Sequence, residues 1–291
     1  MYTEEKKEPD LNEESFNKLK AVILEKAKEK WACERQYNRA CEVSTMEELC
    51  NIIRENIYWC VTREVLSTHL IEEFRELFAA NNIFSNCDLT HQDGLVLVDG
   101  DEKVSVDNNV MVCACGNACI NAYGKATVYA FDKTTIEGHD NVEIFAYDET
   151  NVNVIHNAKV SAHRDAKVRA SKNTLVFAND KATVFAYECA RVNAYDNAVV
   201  SVYECARVDA YDNTMVYAYD LSTVYVNSGQ VIVKAKGLAT IISCGNIECN
   251  LIEHAIHRIL NVNGDNKIVY ASDKITFEKS SEYIPDESNN K

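Results

Sequence analysis

Three groups of side chains in this sequence could carry ligand or proton-transfer chemistry, and each can be weighed by its spacing. Cys113, Cys115 and Cys119 bring three thiols close together in the chain. Thiolates bind zinc, but such sites usually draw on C-x-x-C pairs, and no His lies nearby in sequence. Cys244, Cys249, His254 and His257 form a second set of suitable ligand types. Their even, short spacing lacks the long connection between ligand pairs seen in zinc fingers. His139, His156 and His163 form the third group and fall in turns, where solvated imidazoles are expected. No nucleophile–base pairing, phosphate loop or Gly-rich fingerprint stands elsewhere. The expectation is therefore no catalytic residue, no cofactor and no metal, with the second Cys/His set as the one to check.

The elements that position these residues follow from a repeat. Val96, Val104, Val112, Ile120, Val128, Ile136, Ile144, Val152, Val160, Val168, Val176, Val184, Val192, Val200, Val208, Val216, Val224 and Ile232 recur every eight residues. A fixed period held that long marks a repeat architecture. The unit is A-x-V-x-A-Y-D-N, clean in Ala190-Arg191-Val192-Asn193-Ala194-Tyr195-Asp196-Asn197. Small and β-branched residues alternate with variable ones, as in a strand with one buried face. Three residues remain for a turn, where Asp and Asn tolerate the left-handed region.

A second period of sixteen lies on the first. Tyr187-Glu188-Cys189 returns as Tyr203-Glu204-Cys205, and Tyr195-Asp196-Asn197 as Tyr211-Asp212-Asn213. Residues one coil apart stack, so two octads per coil are expected, with a triangular three-octad coil as the alternative. The fold class is mainly β: a parallel β-solenoid with an α-helical N-terminal region and a C-terminal cap. Eighteen octads give about nine coils, or roughly 43 Å at about 4.8 Å per coil. Tyr187, Tyr203 and Tyr219 should stack on one edge, and Tyr195 and Tyr211 on the other.

The register sorts the charged and apolar residues. Asp132, Asp140, Asp148, Asp180, Glu188, Asp196, Glu204, Asp212 and Asp220 share one turn position and should form acidic ridges. His156, Arg164 and Lys172 interrupt them. On the sheet holding Val184, Val200, Val216 and Ile232 inward, the residues expected to point outward are Phe185, Val199, Met215, Tyr217, Val231 and Val233. A contiguous apolar patch of that kind marks an interface. Cover by the C-terminal cap, a homodimer and a foreign protein are the candidate occupants.

Composition bounds the rest. The 291 residues are 47% hydrophobic, enough for a stable core, while Gly (9) and Pro (2) are too scarce for collagen-like or low-complexity chains. The net charge of −15 argues against direct binding to nucleic acid or an anionic membrane. That charge is spread out: residues 1–92 contribute −6 (18 acidic, 12 basic), 93–236 another −6 (19 and 13), and the remainder −3 (8 and 5). No apolar run reaches about 18 residues, and Met1-Tyr2-Thr3-Glu4-Glu5-Lys6-Lys7 is no signal peptide. The twelve cysteines then read as reduced thiols, and a cytoplasmic location is expected.

Residues 1–10 are expected to be disordered and 11–87 helical. The first helix should bury Phe16, Leu19, Val22 and Ile23; Ser44 or Thr45 with Glu47 or Glu48 offers a capping box; and Thr62 is the expected cap of a third helix. The solenoid is expected over 88–236, with Asp88–Gly94 as the entry linker. Lys234 stands where Ala is expected, so residues 237–278 read as a C-terminal cap without the octad, and 279–291 as a flexible tail.

The A-x-V-x-A-Y-D-N octads resemble uncharacterised octad-repeat proteins of gut bacteria and their phages, over roughly residues 60–260. That resemblance implies a β-solenoid and supplies no activity. Bactofilin-type polymer-forming solenoids and acidic pentapeptide-repeat DNA mimics are similar in architecture only, since pentapeptide spacing is missing here and a helical N-terminus departs from a stackable end. The histidines likewise stop short of left-handed β-helix acyltransferases, whose hexapeptide repeat is not present. The functional expectation is a non-catalytic protein-binding solenoid with a protein partner and a homodimer. Its sharper form is an acidic inhibitor that occupies a basic nucleic-acid-binding surface, as in phage counter-defence. The alternative is a self-assembling scaffold.

Overall fold

A computed structural model describes residues 11–243, 247–260, 267–270 and 276–279. The expected disordered residues 1–10, Cys244 and the expected tail beyond Lys279 lie outside them. The architecture is a parallel β-solenoid of about eleven coils, built as a 13-stranded sheet (sheet A) and an 11-stranded sheet (sheet B) back to back. Successive octads alternate between the sheets. Val192 pairs with Val208, not with Val216, so two octads make one coil.

The pairing follows from the alternation in the sequence. Ala190, Val192 and Ala194, like Ala206, Val208 and Ala210, are buried between the sheets with relative exposures of 0–1%. Side chains this small let two sheets share one continuous core. Thr134, Thr150, Thr174, Thr214 and Ser222 take the Ala position ahead of some strands, also buried. The Thr134 hydroxyl donates to the Phe131 carbonyl at 2.7 Å and Thr174 to Ser171 at 2.6 Å, so these two threonines are satisfied inside their own turns.

The eight-residue period changes phase once, near the C-terminus. The turn after strand Thr223–Val226 holds one residue more than its neighbours, and Met215 pairs with Ile232 and Val216 with Val233. Coil-to-coil bonds show the step directly. Met215 N–H donates to the Ala198 carbonyl, seventeen residues back, at 3.0 Å, whereas Ile232 N–H reaches the Thr214 carbonyl, eighteen back, at 3.0 Å. Val231 and Val233 therefore point inward and are fully buried, while Ile232 and Lys234 point outward. This corrects the expected outward placement of Val231 and Val233 and the expected inward placement of Ile232, and it explains why Lys234 was out of place in an unbroken register.

With the new phase the octad continues. Val233, Ile241, Cys249 and His257 hold the central inward position, eight residues apart and buried. Parallel coils extend through strand Ile256–Ile259 rather than ending at 236. The C-terminal cap is smaller than expected: strands Lys267–Tyr270 and Thr276–Lys279 pair antiparallel on the last strand of each sheet.

At the other end, the solenoid begins earlier than Asp88. Strand Ile83–Ser85 is the first of sheet A, and Leu89 in the expected linker bridges to Val106 of sheet B. Asn82 and Asn86, both in the left-handed region (φ 54° and 47°), bracket this strand and detach it from the helical segment.

Among the described residues six helices precede it: α1 (Leu11–Glu29), α2 (Glu34–Glu42), α3 (Met46–Glu55), α4 (Ile57–Thr62), α5 (Thr68–Glu73) and α6 (Arg75–Ala79). Thr45 and Glu48 form the capping box of α3. Ser67, not Thr62, caps the helix that carries Leu70; Thr62 ends α4, its hydroxyl donating to the Tyr58 carbonyl at 2.7 Å. The helices do more than cover an end. Phe16, Leu19, Leu49, Ile53 and Phe78 share a core with Leu95, Leu97 and Cys113, outward residues of the first strands of sheet A. The helical unit thus lies against the side of the stack. Tyr58 fixes it at one edge, with its ring 5.6 Å from Phe131 and 5.3 Å from Tyr147. None of the described helices is long and apolar enough to cross a membrane.

Candidate docking face and acidic edges

The three sequence-level ligand groups do not converge. Cys113 faces outward from sheet A under the helical unit, Cys115 begins a turn, and Cys119 faces outward from sheet B. Burial raises the Cys113 thiol pKa, and pushes Cys115 up to about 11 and Cys60 up to about 12, which favours the protonated thiol at neutral pH. In the second group Cys249 and His257 lie inside the stack, and the Ser243 hydroxyl is 2.8 Å from His257 Nε2. His254 is exposed on a turn, and Cys244 is outside the described residues. No group of three or more His, Cys, Asp or Glu placed to hold a metal ion occurs among the described residues.

The histidines occupy separate places. His139 stacks on Tyr123 with centroids 4.9 Å apart, and His163 on Tyr147 at 5.1 Å. They take the aromatic rung of opposite edges, while His156 takes the left-handed position. Its Nδ1 lies 3.7 Å from Asp140 Oδ1, and its Nε2 3.3 Å from Lys172 Nζ. The tyrosine ladders form as expected. Tyr187, Tyr203 and Tyr219 stack at 4.9 Å on one edge, and Tyr195 and Tyr211 at 4.9 Å on the other.

The acidic residues divide between the two edges. Asp132, Asp148, Asp180, Asp196 and Asp212 follow sheet A strands; Asp140, Glu188, Glu204 and Asp220 follow sheet B strands. All nine have positive φ, between 54° and 62°. The sequence did not reveal what their carboxylates do. At eight turns a carboxylate accepts the backbone N–H of the left-handed residue one coil earlier, as in Asp180 to Arg164 N–H at 3.0 Å and Glu204 to Glu188 N–H at 3.0 Å. A left-handed turn aims that N–H along the stack, where no strand offers an acceptor, so a short acid in the next coil supplies one. Arg164 donates its own N–H to Asp180 but offers no acceptor to the coil before it, and its guanidinium instead forms an ion pair with Asp148.

The outward face of sheet B carries two rows. Going toward the C-terminus, one row reads Asn151, Lys167, Thr183, Val199, Met215, Ile232; the other reads Asn153, Arg169, Phe185, Ser201, Tyr217, Lys234. The change from polar to apolar falls at strand Thr183–Ala186. Phe185, Val199, Met215, Tyr217 and Ile232 then form a half-buried apolar surface, with Ile232 in place of the expected Val231 and Val233. The Tyr217 hydroxyl donates to Met215 Sδ at 3.1 Å, and Lys234 Nζ lies 5.4 Å from the Tyr217 ring centroid. The alternative of cover by residues 237–278 is not found among the described residues of that stretch, which extend the stack or pair on its last strands instead.

Comparison with protein-family models, with curated proteins and with solved structures returns no match for this chain.

Proposed function

We propose that this chain is a non-catalytic β-solenoid that acts by binding protein, and that the apolar outward face of sheet B is its docking face, engaged by a second copy. The observation that carries the reading is the apolar cluster Phe185, Val199, Met215, Tyr217 and Ile232, with no described element over it and with Ser201 and Lys234 as its polar members. Within this same molecule, outward apolar residues on the first strands of sheet A are covered by the helical unit. The equivalent residues on sheet B have no described element over them. Two flat sheet faces pack about 10 Å apart, and a two-fold pairing would bury both copies of the patch together. The face is two residue rows wide and four strands long, so a concentration-dependent dimer is expected rather than an obligate one.

The ends favour a discrete assembly over a filament. Antiparallel strands follow the last coil on both sheets, and α5 and α6 pack against the first strand of sheet A. The acidic inhibitor remains a second form of the same reading, supported by the carboxylates lining both edges. Charge density weighs against it. The solenoid stretch 93–236 carries −6 over roughly 43 Å, whereas duplex DNA carries one charge per about 1.7 Å.

Sedimentation of the wild type and of a Val199→Glu/Tyr217→Glu variant, over a range of concentrations, tests the proposal. The wild type should associate as concentration rises, and the variant should stay a folded monomer with an unchanged β-sheet spectrum. A wild type that remains monomeric at every concentration, or a variant that associates equally, overturns the second copy as occupant.

A further inference from the structure

On the edge that leads from sheet B back to sheet A, two exposed cysteines stack one coil apart. Cys189 Sγ and Cys205 Sγ lie 3.4 Å apart. We infer that Cys189 and Cys205 are a dithiol modification site, which a small-molecule disulfide converts to a disulfide stapling two neighbouring coils.

The geometry is held from both sides. The strands Thr183–Ala186 and Val199–Val202 pair in register. Just ahead of the cysteines Tyr187 stacks on Tyr203 at 4.9 Å, and Glu188 N–H donates to the Glu204 carboxylate at 3.0 Å. Just after them Arg207 N–H donates to the Ala190 carbonyl at 3.0 Å. The two backbones are therefore fixed at the strand spacing, about 4.8 Å. Disulfides bridge Cα separations of about 4.4–6.8 Å, a range that includes this spacing, and the two sulfurs already face each other. The buried thiols Cys50, Cys60 and Cys113 lack this access.

The exchange balances without another reactant. The Cys189 thiolate attacks one sulfur of the disulfide RSSR, forms a mixed disulfide and releases one RS⁻. The Cys205 thiolate then attacks Cys189 Sγ and releases the second. The two thiol protons end on the two leaving thiolates, so one RSSR is reduced to two RSH while the protein dithiol is oxidised. Cys205 is the resolving partner: its thiol donates to the Glu188 carbonyl at 3.0 Å, and the hydrogen bond with Cys189 raises its pKa. The neighbouring Glu188 and Glu204 favour a cationic disulfide over an anionic one.

The test treats folded, reduced protein with cystamine or with oxidised glutathione, blocks remaining thiols by alkylation, and maps peptides by mass spectrometry. The Cys189 and Cys205 peptides should be recovered cross-linked with the loss of two hydrogens, sooner with cystamine. Cys205→Ser should keep the small thiol on Cys189. Oxidised wild type should melt several degrees higher than reduced, and Cys189→Ser/Cys205→Ser should show no such rise. Separate adducts on the two cysteines, cross-links of either to another cysteine, or no reaction at either residue would each overturn the inference.

Discussion

The backbone N–H of Asp196 donates to Oδ2 of Asp212, one coil further along, at 3.1 Å. Both residues are left-handed, with φ 56° and 55°. The same contact recurs along both edges, so what reads in sequence as a ridge of negative charge is first a ladder of acceptors. Both Asp and Glu supply the acceptor, Asp212 to Asp196 and Glu204 to Glu188.

That distinction can be measured. Asp212→Asn keeps a carbonyl oxygen and tolerates the left-handed turn, so the Asp196 amide should exchange as slowly as in the wild type. Asp212→Ala removes the acceptor. A net hydrogen bond of about 1 kcal/mol corresponds to roughly fivefold faster exchange at that amide. Amide exchange followed by NMR decides the matter. Equal acceleration in both variants would assign the protection to charge instead.

The phase step offers a second test. Gly229 has φ 86°, and a Cβ there would sit 2.2 Å from the Asp212 carbonyl oxygen. Gly229→Ala should therefore destabilise by about 2 kcal/mol or more, from left-handed strain and a backbone clash together. Deleting Ser228 leaves Asn227, Gly229 and Gln230, with Gly in the left-handed second position, as Gly116 and Gly124 are at φ 72° and 67°. The deletion should be tolerated, with a melting temperature close to the wild type's. A deletion mutant that fails to fold would show that the extra residue is required rather than merely accommodated.

The helical unit has its own pH signature. Backbone N–H groups of Ser44 and then Thr45 hydrogen-bond to the Glu48 carboxylate and lower its pKa. A carboxyl whose pKa is lower folded than unfolded contributes stability that is present above the ordinary carboxylate range and lost as pH falls through the folded pKa. Glu48→Gln should thus melt below wild type at neutral pH, and the gap should close in acid. Thermal melts at several pH values check this; a gap that widens in acid would contradict the assignment.

Much of this architecture is legible in the amino-acid sequence because its rules are local. Alternation of Ala and Val with variable residues sets the buried face, and the sixteen-residue recurrence of Tyr187-Glu188-Cys189 sets the coil and its ladders. The Thr45–Glu48 cap follows from four consecutive residues. What tertiary structure alone decided concerns contacts between segments that local pattern leaves equivalent. Val231-Ile232-Val233 reads as a strand in either phase, so only the pairing of Ile232 with Met215 reveals which residues are inside. An outward Cys113 looks like any outward residue until a helical unit lies over it. The second carboxylate role is hidden for the same reason: Asp212 finds its donor sixteen residues away, and only the stacking of coils brings the two together.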